Sequence, residues 1–198
     1  GGALADYRAW GNEVPGVYQI YPYTDNNSAA GVILYVCADK EVTGSRVADS
    51  AMLKAVGKSC TYDPETGMAT RKPLTAVLDP DFDESYTNIK TITEEIFDVY
   101  ITGYNGDIDS MKDTVKTNIE NYLLEREPYI RGLSVDNNRM DDISVNNLIG
   151  IVNEIAIANT ASFTGVSLYH SSESIAAYQL GRGKLAKLGT LYINGVAI

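Results

Sequence analysis

The chain places a strand pattern directly before its most regular helix in IFDVYITGYNGDIDSMKDTVKTNIENYLLER, residues 96–126. In the first part, Phe97, Val99 and Ile101 alternate with their neighbours, which is the spacing of a β-strand with one more apolar face. In the second part, the apolar side chains follow helical spacing, and they are Ile108, Met111, Val115, Ile119, Tyr122 and Leu123. This change of period predicts that a strand and a helix pack together here.

The residues that follow complete a predicted C-terminal module over residues 91–198. A second helix is indicated over residues 142–159, and it leads into the strand patterns SFTGVSLYH (162–170) and KLGTLYINGVAI (187–198). The predicted order is therefore strand, helix, helix, strand, strand.

The preceding residues predict an N-terminal module over residues 1–90. Its elements are a helix over residues 3–13, a hairpin of VYQIYPYT (17–24) and GVILYVCA (31–38), a helix over residues 45–58 with Ser45 as a possible N-cap, and a third strand at Pro73–Leu78. An acidic linker, DPDFDESYTNIKTITEE (79–95), ends the module. We expect an α+β fold of two small two-layer α/β modules, with mixed or antiparallel sheets and helices packed on one face.

Composition limits the classes of partner. The 198 residues include 26 acidic and 16 basic side chains, which gives a net charge of −10. That charge argues against nucleic acid or an anionic membrane as the main partner. The chain also has 14 tyrosines but only 3 phenylalanines and 1 tryptophan, and tyrosine suits surfaces that contact other proteins.

The histidine and cysteine content argues against a structural zinc site. His170 is the single histidine, and Cys37 and Cys60 lie too far apart for a CxxC pair. Two reduced, buried thiols are favoured over a Cys37–Cys60 disulfide, which stays the alternative. The sequence contains neither an apolar run of membrane-spanning length nor, at GGALADYRAWGNE, the layout of a signal peptide.

Three motifs that would carry chemistry fail at decisive positions. The Asp79–Asp83 stretch is spaced like a calcium loop, but Glu84 and Lys90 stand where a glycine and the closing carboxylate are required. Residues 181–184, GRGK, lack the first glycine and the hydroxyl residue of a phosphate loop. The sequence around Ser167, GVSLY, is not the GxSxG motif of a nucleophilic serine that His170 could activate. A position at the end of a strand is therefore favoured for His170 over a role as a general base.

The stretch YLLEREPYIRGLSVDNNRMDDIS (122–144) is a candidate protein interface. Pro128 ends a helix, and Gly132 permits a tight turn among arginines, tyrosines and carboxylates. One interpretation is a locally paired loop between helices, and the other is an ordered junction that presents arginine and tyrosine to a neighbouring chain. The candidate residues are Tyr122, Arg126, Glu127, Tyr129, Arg131, Asp136 and Arg139.

A basic C-terminal segment supplies the remaining candidates, which are Arg182, Lys184 and Lys187. No acidic residue occurs from Ser174 onward, so this segment carries +3 and the rest of the chain carries −13. The segment either docks on the acidic surface of another copy or presents three solvated bases between two strands.

At residues 122–144 the chain resembles the baseplate J-like family, the wedge proteins of contractile phage tails and related injection machines. Similar stretches are ADYRAWGNEVPGVYQIYPYT (5–24), ASFTGVSLY (161–169) and LAKLGTLYI (185–193). The resemblance implies a structural virion protein of the tail baseplate that is assembled in the bacterial cytoplasm. It implies a homo-oligomer that binds copies of itself and other wedge proteins, with no catalysis and no cofactor.

The resemblance also suggests roles for particular segments. The acidic segment 79–95 would be a movable junction, and the 129–139 loop and the basic segment would make contacts between chains. The alternative function is a tail-associated module that binds or hydrolyses cell-wall glycans. Hydrolysis would need a cleft with two carboxylates about 5 to 9.5 Å apart.

Overall fold

The computed structural model describes residues 3–26, 31–71 and 88–198, which divide into two compact units. Unit 1 contains the described residues up to Thr93 together with Ile130–Asn138, and unit 2 contains Glu94–Tyr129 and Arg139–Ile198. Helices and mixed or antiparallel sheets occur together, which confirms the α+β prediction. The division into domains of residues 1–90 and 91–198 stays a prediction.

Unit 1 is built on a three-stranded mixed sheet. β2 lies in the middle, antiparallel to β1 and parallel to β3. Side chains from the helices and one face of the sheet form its core, including Tyr7, Ile20, Leu34, Val36 and Val56. Its elements are α1 (Leu4–Asn12), β1 (Val17–Thr24), β2 (Val32–Ala38), α2 (Lys40–Thr43), α3 (Ser50–Ser59) and β3 (Ile89–Thr91).

The predictions for the first hairpin and the opening helix are confirmed, two details differ, and one prediction is not tested. Helix α3 is capped by Asp49, whose side chain accepts a hydrogen bond from the Met52 N–H at 2.8 Å, so Ser45 is not its N-cap. The predicted strand at Pro73–Leu78 lies outside the described residues. The described end of the predicted acidic linker is strand, because β3 pairs with β2 there and the next strand begins at Thr93.

Within the described residues, side chains rather than another strand contact the outer edge of β1 at Ile20. Asn12 Oδ1 accepts a hydrogen bond from the Ile20 N–H at 3.1 Å, and Arg8 Nε donates to the Ile20 carbonyl at 3.1 Å. Two residues further along β1, Pro22 has no N–H to offer. This edge therefore presents few free backbone groups around Ile20 and Pro22.

Unit 2 consists of a five-stranded sheet, a small two-stranded sheet and two helices. The strand order in the larger sheet is β10-β9-β4-β6-β7, and β5 pairs with β8 in the smaller one. Its elements are β4 (Thr93–Thr102), α4 (Ile108–Leu124), β5 (Asp142–Ser144), α5 (Val145–Ala158), β6 (Gly165–His170), β7 (Glu173–Ile175), β8 (Ala177–Gln179), β9 (Lys184–Ile193) and β10 (Val196–Ala197).

The core of unit 2 lies between the two helices and one face of the larger sheet. The predicted apolar stripe of α4 is confirmed, because Met111, Val115, Ile119 and Leu123 are fully buried. The sheet supplies alternate residues of its strands, and α5 supplies its inward side chains. These are Phe97, Val99, Ile101, Leu168, Leu191 and Ile193 from the strands, and Leu148, Val152 and Ala156 from α5.

Candidate protein interface

The chain after α4 forms a loop whose two stems run side by side. The Glu127 N–H donates to the Met140 carbonyl at 3.0 Å, which joins the outgoing and returning stems. Above this point the Arg139 guanidinium lies 4.0 Å from the centre of the Tyr129 ring, an arrangement that favours cation–π attraction. Glu127, Tyr129 and Arg139, three of the predicted interface residues, therefore shape the base of the loop.

Arg139 also binds a buried carboxylate. Its Nε and Nη2 lie 2.8 Å and 2.6 Å from the two oxygens of Asp141, whose residue surface is only 2% exposed. Gln179 Nε2 donates to the same carboxylate at 3.0 Å. The Arg139 hydrogen bond is the main reason that the pKa of Asp141 lies below its ordinary value. Arg139 is thus a structural partner of Asp141 within unit 2.

Tyr122 and Arg126 are also engaged locally. The Arg126 guanidinium lies 4.7 Å from the Tyr122 ring centre, and its Nε donates to the Tyr122 carbonyl at 3.3 Å. The Tyr122 hydroxyl accepts from the Ser144 N–H at 3.2 Å and from Asn147 Nδ2 at 3.1 Å. These contacts fix the end of α4 against the start of α5. They match the interpretation of this stretch as a locally paired loop.

The tip of the loop presents the exposed residues. Arg131 and Asp136, two of the candidate interface residues, are exposed. Val135, which lies between them in the sequence, is 67% exposed. The tip is held by hydrogen bonds from the Ser134 N–H to the Ile130 carbonyl at 2.8 Å and from the Ile130 N–H to Ser134 Oγ at 2.9 Å. The sequence interpretation missed Val135, although an isolated aliphatic residue in SVDNN was the available signal.

The basic segment pairs with acidic residues of the same unit. Lys184 Nζ lies 2.7 Å from Glu95 Oε1, and Lys187 Nζ lies 2.8 Å from Glu94 Oε2. The third base, Arg182, is exposed before β9 begins. Part of the charge asymmetry in the sequence is therefore neutralised inside unit 2. A contact of this segment with another chain stays a prediction.

His170 is the last residue of β6, as predicted, and lies beside the Glu95 carboxylate. Its Nε2 is 3.0 Å from Glu95 Oε2, and its Nδ1 is 3.1 Å from the Ile96 carbonyl. The ring packs on Phe97 at 4.9 Å and on Tyr178 at 4.6 Å between ring centres. Burial, with a further contribution from Glu95, raises the pKa of the Tyr178 phenol. The cluster joins β4, β6, β8 and β9.

The acidic stretch and the two cysteines give little support to a metal site or to redox chemistry. Asp79, Asp81 and Asp83 lie outside the described residues. Among residues 3–26, 31–71 and 88–198, no three His, Cys, Asp or Glu side chains gather as a metal site would require. Cys37 and Cys60 are both buried thiols that do not form a disulfide, and burial raises the pKa of the Cys60 thiol to about 12. No helix in these ranges is long and apolar enough to cross a membrane.

A row of three tyrosines is a further candidate surface. Tyr192 of β9, Tyr100 of β4 and Tyr169 of β6 lie on neighbouring strands of the larger sheet. The Tyr100 ring centre is 4.3 Å from that of Tyr192 and 4.8 Å from that of Tyr169. Sequence reasoning missed this row because its members are separated by up to 92 residues. Alternation along each strand was the only available signal.

Comparison with known proteins identifies one relationship. Residues 1–80 match the family model described as the baseplate J-like central domain. This match confirms the resemblance to the baseplate J-like family, and it supports a structural role in a phage baseplate. A search of curated proteins gave no match to the chain.

Proposed function

We propose that this chain, with a baseplate J-like central domain matched over residues 1–80, is a structural component of the baseplate wedge in a contractile phage tail or related injection system. It associates with copies of itself and with other wedge proteins, and it becomes part of the virion after assembly in the bacterial cytoplasm. The family match is the observation that carries this proposal.

The loop tip is the part of the predicted interface that best suits contact with another chain. Val135 offers an apolar group, and Arg131 and Asp136 offer opposite charges on either side of it. Hydrogen bonds already hold the tip in one conformation, so docking would cost less entropy than ordering a mobile segment. Tyr122, Arg126 and Arg139 make their contacts within unit 2, so they are less suited than the tip to bind another chain.

The alternative of a glycan-binding module gains nothing from the tyrosine row. The Tyr100 and Tyr192 rings are nearly parallel, at 11°, and stack on each other, so one face of each ring is occupied by the other tyrosine and is not available to a sugar. We therefore retain the structural proposal.

The test is incorporation of variants into particles. A tagged chain carrying Arg131→Glu and Val135→Asp is produced in a host whose particle-forming genes lack the native copy, and purified particles are counted by electron microscopy. We expect assembly to fall by about tenfold or more, since an exposed apolar side chain at the proposed contact becomes charged and the charge of Arg131 is reversed.

Val42→Asp is the matched control, because Val42 is a similarly exposed valine, 70% exposed, on α2. Normal assembly by the loop variant would contradict the assignment of the tip. Normal particles formed without any copy of this chain would contradict the proposed function itself.

A further inference from the structure

Arg126, just after α4, is a largely buried arginine whose guanidinium is only partly bonded. Its side chain is 13% exposed, and its Nη2 lies 3.9 Å from the nearest carboxylate oxygen, which belongs to Glu125. That separation is longer than the roughly 2.7 to 2.9 Å of a charge-assisted hydrogen bond. Among the described residues, the one acceptor bonded to this side chain is the Tyr122 carbonyl, 3.3 Å from Nε. The N–H donors of both Nη atoms are therefore still to be satisfied.

Two other arginines show what is missing at Arg126. Arg71 donates from Nη1 and Nη2 to the Glu13 carboxylate at 2.6 and 3.2 Å, and Arg139 binds Asp141 in the same bidentate way. Their side chains are 15% and 41% exposed. Removing a guanidinium from water costs free energy, and a carboxylate in bidentate contact offsets much of that cost. Arg126 is the most buried of the three, and no described residue supplies it with such a carboxylate.

A ligand can reach the unsatisfied donors of Arg126. No nitrogen of this side chain is both fully buried and without a partner, so the two Nη atoms keep contact with solvent. Glu125 does not close the site, because its side chain is 69% exposed and water competes for its carboxylate. Water can satisfy the Nη donors until a stronger acceptor replaces it.

The Tyr122 ring is a fixed base beneath the guanidinium. The ring centre lies 4.7 Å from Arg126 Cζ, and the hydroxyl accepts hydrogen bonds from the Ser144 N–H and from Asn147 Nδ2. These bonds hold the ring to the start of α5, and the cation–π contact holds the guanidinium to the ring. A donor group that is already held in place loses little freedom when it binds a ligand.

The chemistry of the site selects its ligand. A guanidinium with both amino groups open binds a planar oxyanion through two parallel hydrogen bonds. Arg71 and Arg139 both meet this need with a carboxylate side chain. Aspartate and glutamate on the surface of another protein supply the same group.

We propose that Arg126, held over the Tyr122 ring, binds the carboxylate of an acidic side chain on a neighbouring protein chain. This contact rests on the association with other chains in the proposed function, and it names the chemistry by which one of them is recognised. The loop tip and Arg126 then have different tasks, since the tip offers an apolar contact and Arg126 requires an acid at one position.

Nuclear magnetic resonance of the arginine side-chain N–H signals tests the site in the isolated chain. Sodium acetate replaces sodium chloride at constant ionic strength, so screening stays the same while the carboxylate concentration rises. We expect a saturable shift of the Arg126 signal, with an acetate dissociation constant at least about threefold lower than at Arg131. Arg131 is the matched control, because it is an exposed arginine in the following loop.

Carbodiimide cross-linking of assembled particles identifies the neighbour. Arg126→Lys replaces the guanidinium with an amine, and the reagent joins an amine to a carboxylate in contact with it as an amide, taking up the water that is lost. We expect mass spectrometry to find the introduced amine linked to an Asp or Glu of another chain. Arg71→Lys is the matched control, because its amine should link to Glu13 of the same chain. Circular dichroism checks that both variants are folded.

Three results would overturn the contact. They are equal responses of Arg126 and Arg131 to acetate, a response of Arg126 to inorganic phosphate but not to acetate, and cross-links from Arg126→Lys that reach only acidic residues of its own chain. If the chain enters particles and the last result is found, the Arg126 contact is wrong and the baseplate role stands. If Arg126 binds acetate selectively but the chain is absent from wild-type particles, the carboxylate site stands and the baseplate role is wrong.

Discussion

Two regions of unit 2 each hold acidic side chains against cations, and they differ in burial. Asp141 is almost fully buried and receives a bidentate pair from Arg139 together with the Gln179 amide. Glu94 and Glu95 instead pair with Lys187 and Lys184, and these two carboxylate side chains are 19% and 14% exposed, against 2% for Asp141. Water competes with the second set but hardly reaches the first carboxylate. Thus the same charges stabilise the fold to different extents according to their surroundings.

The largest expected effect comes from removing Arg139. Arg139→Ala leaves the Asp141 carboxylate buried without its cation, and we expect a loss of about 2 to 3 kcal/mol in the free energy of unfolding. Urea unfolding followed by circular dichroism measures the change. Arg131→Ala is the control, since this exposed arginine lies in the same loop and should cost less than about 0.5 kcal/mol. Equal losses of unfolding free energy in Arg139→Ala and Arg131→Ala would show that burial of Asp141 does not make the Arg139 pair more stabilising.

Lowering the pH should reduce the difference in the free energy of unfolding between the wild type and Arg139→Ala. The pKa of Asp141 is lower in the folded protein than its ordinary value of 3.8. Its contribution to stability is therefore present above about pH 4 and is lost as the pH falls through the folded-state pKa. Urea unfolding at several pH values between 7 and 3 should show the two curves converging at the acid end. A constant difference across this range would show that Arg139 acts through packing alone.

Lys184→Ala should have a smaller effect than Arg139→Ala. Lys184 and Glu95 are 2.7 Å apart, but the Glu95 side chain is 14% exposed, against 2% for Asp141, and His170 remains beside the Glu95 carboxylate. We expect a loss of about 1 kcal/mol in the free energy of unfolding. Amide hydrogen exchange in β4 and β9 measures whether the loss is local. Arg182→Ala, which changes a base just before β9, serves as the control.

Lys187→Ala should have the smallest effect of the series. The side chain of Lys187 is about half exposed, so its pair with Glu94 contributes about 0.5 kcal/mol or less. Urea midpoints in low and high salt provide the measurement, and the small difference from wild type should vanish in high salt. A loss larger than that of Lys184→Ala would reverse the ranking by burial.

Local periodicity predicted the elements whose partners lie close in sequence. The stripe on α4 follows from side chains three and four residues apart, and each of its four central members is buried. The β1–β2 hairpin was likewise predicted from two adjacent strand patterns. These elements are defined by residues within one turn or one hairpin, so a single sequence contains the necessary information.

Long-range pairings were not visible in the sequence. Lys184 lies 89 residues after Glu95, and no local pattern relates the two before the sheet brings β4 and β9 together. The sequence interpretation left open whether Arg139 pairs within its own loop or faces a neighbouring chain. In the structure Arg139 binds the buried Asp141, and burial of that carboxylate is not visible in the local sequence.

The occupied edge of β1 has a consequence for production of this protein in many copies. A free strand edge can recruit the same edge of another molecule, and that addition can repeat without limit into a fibre. Arg8 and Asn12 occupy the carbonyl and the N–H of Ile20, and Pro22 has no N–H, so part of this edge cannot form the hydrogen bonds that such growth would use. Addition of a further strand at Ile20 and Pro22 is therefore disfavoured, which reduces the tendency of newly made copies to polymerise through this part of the edge.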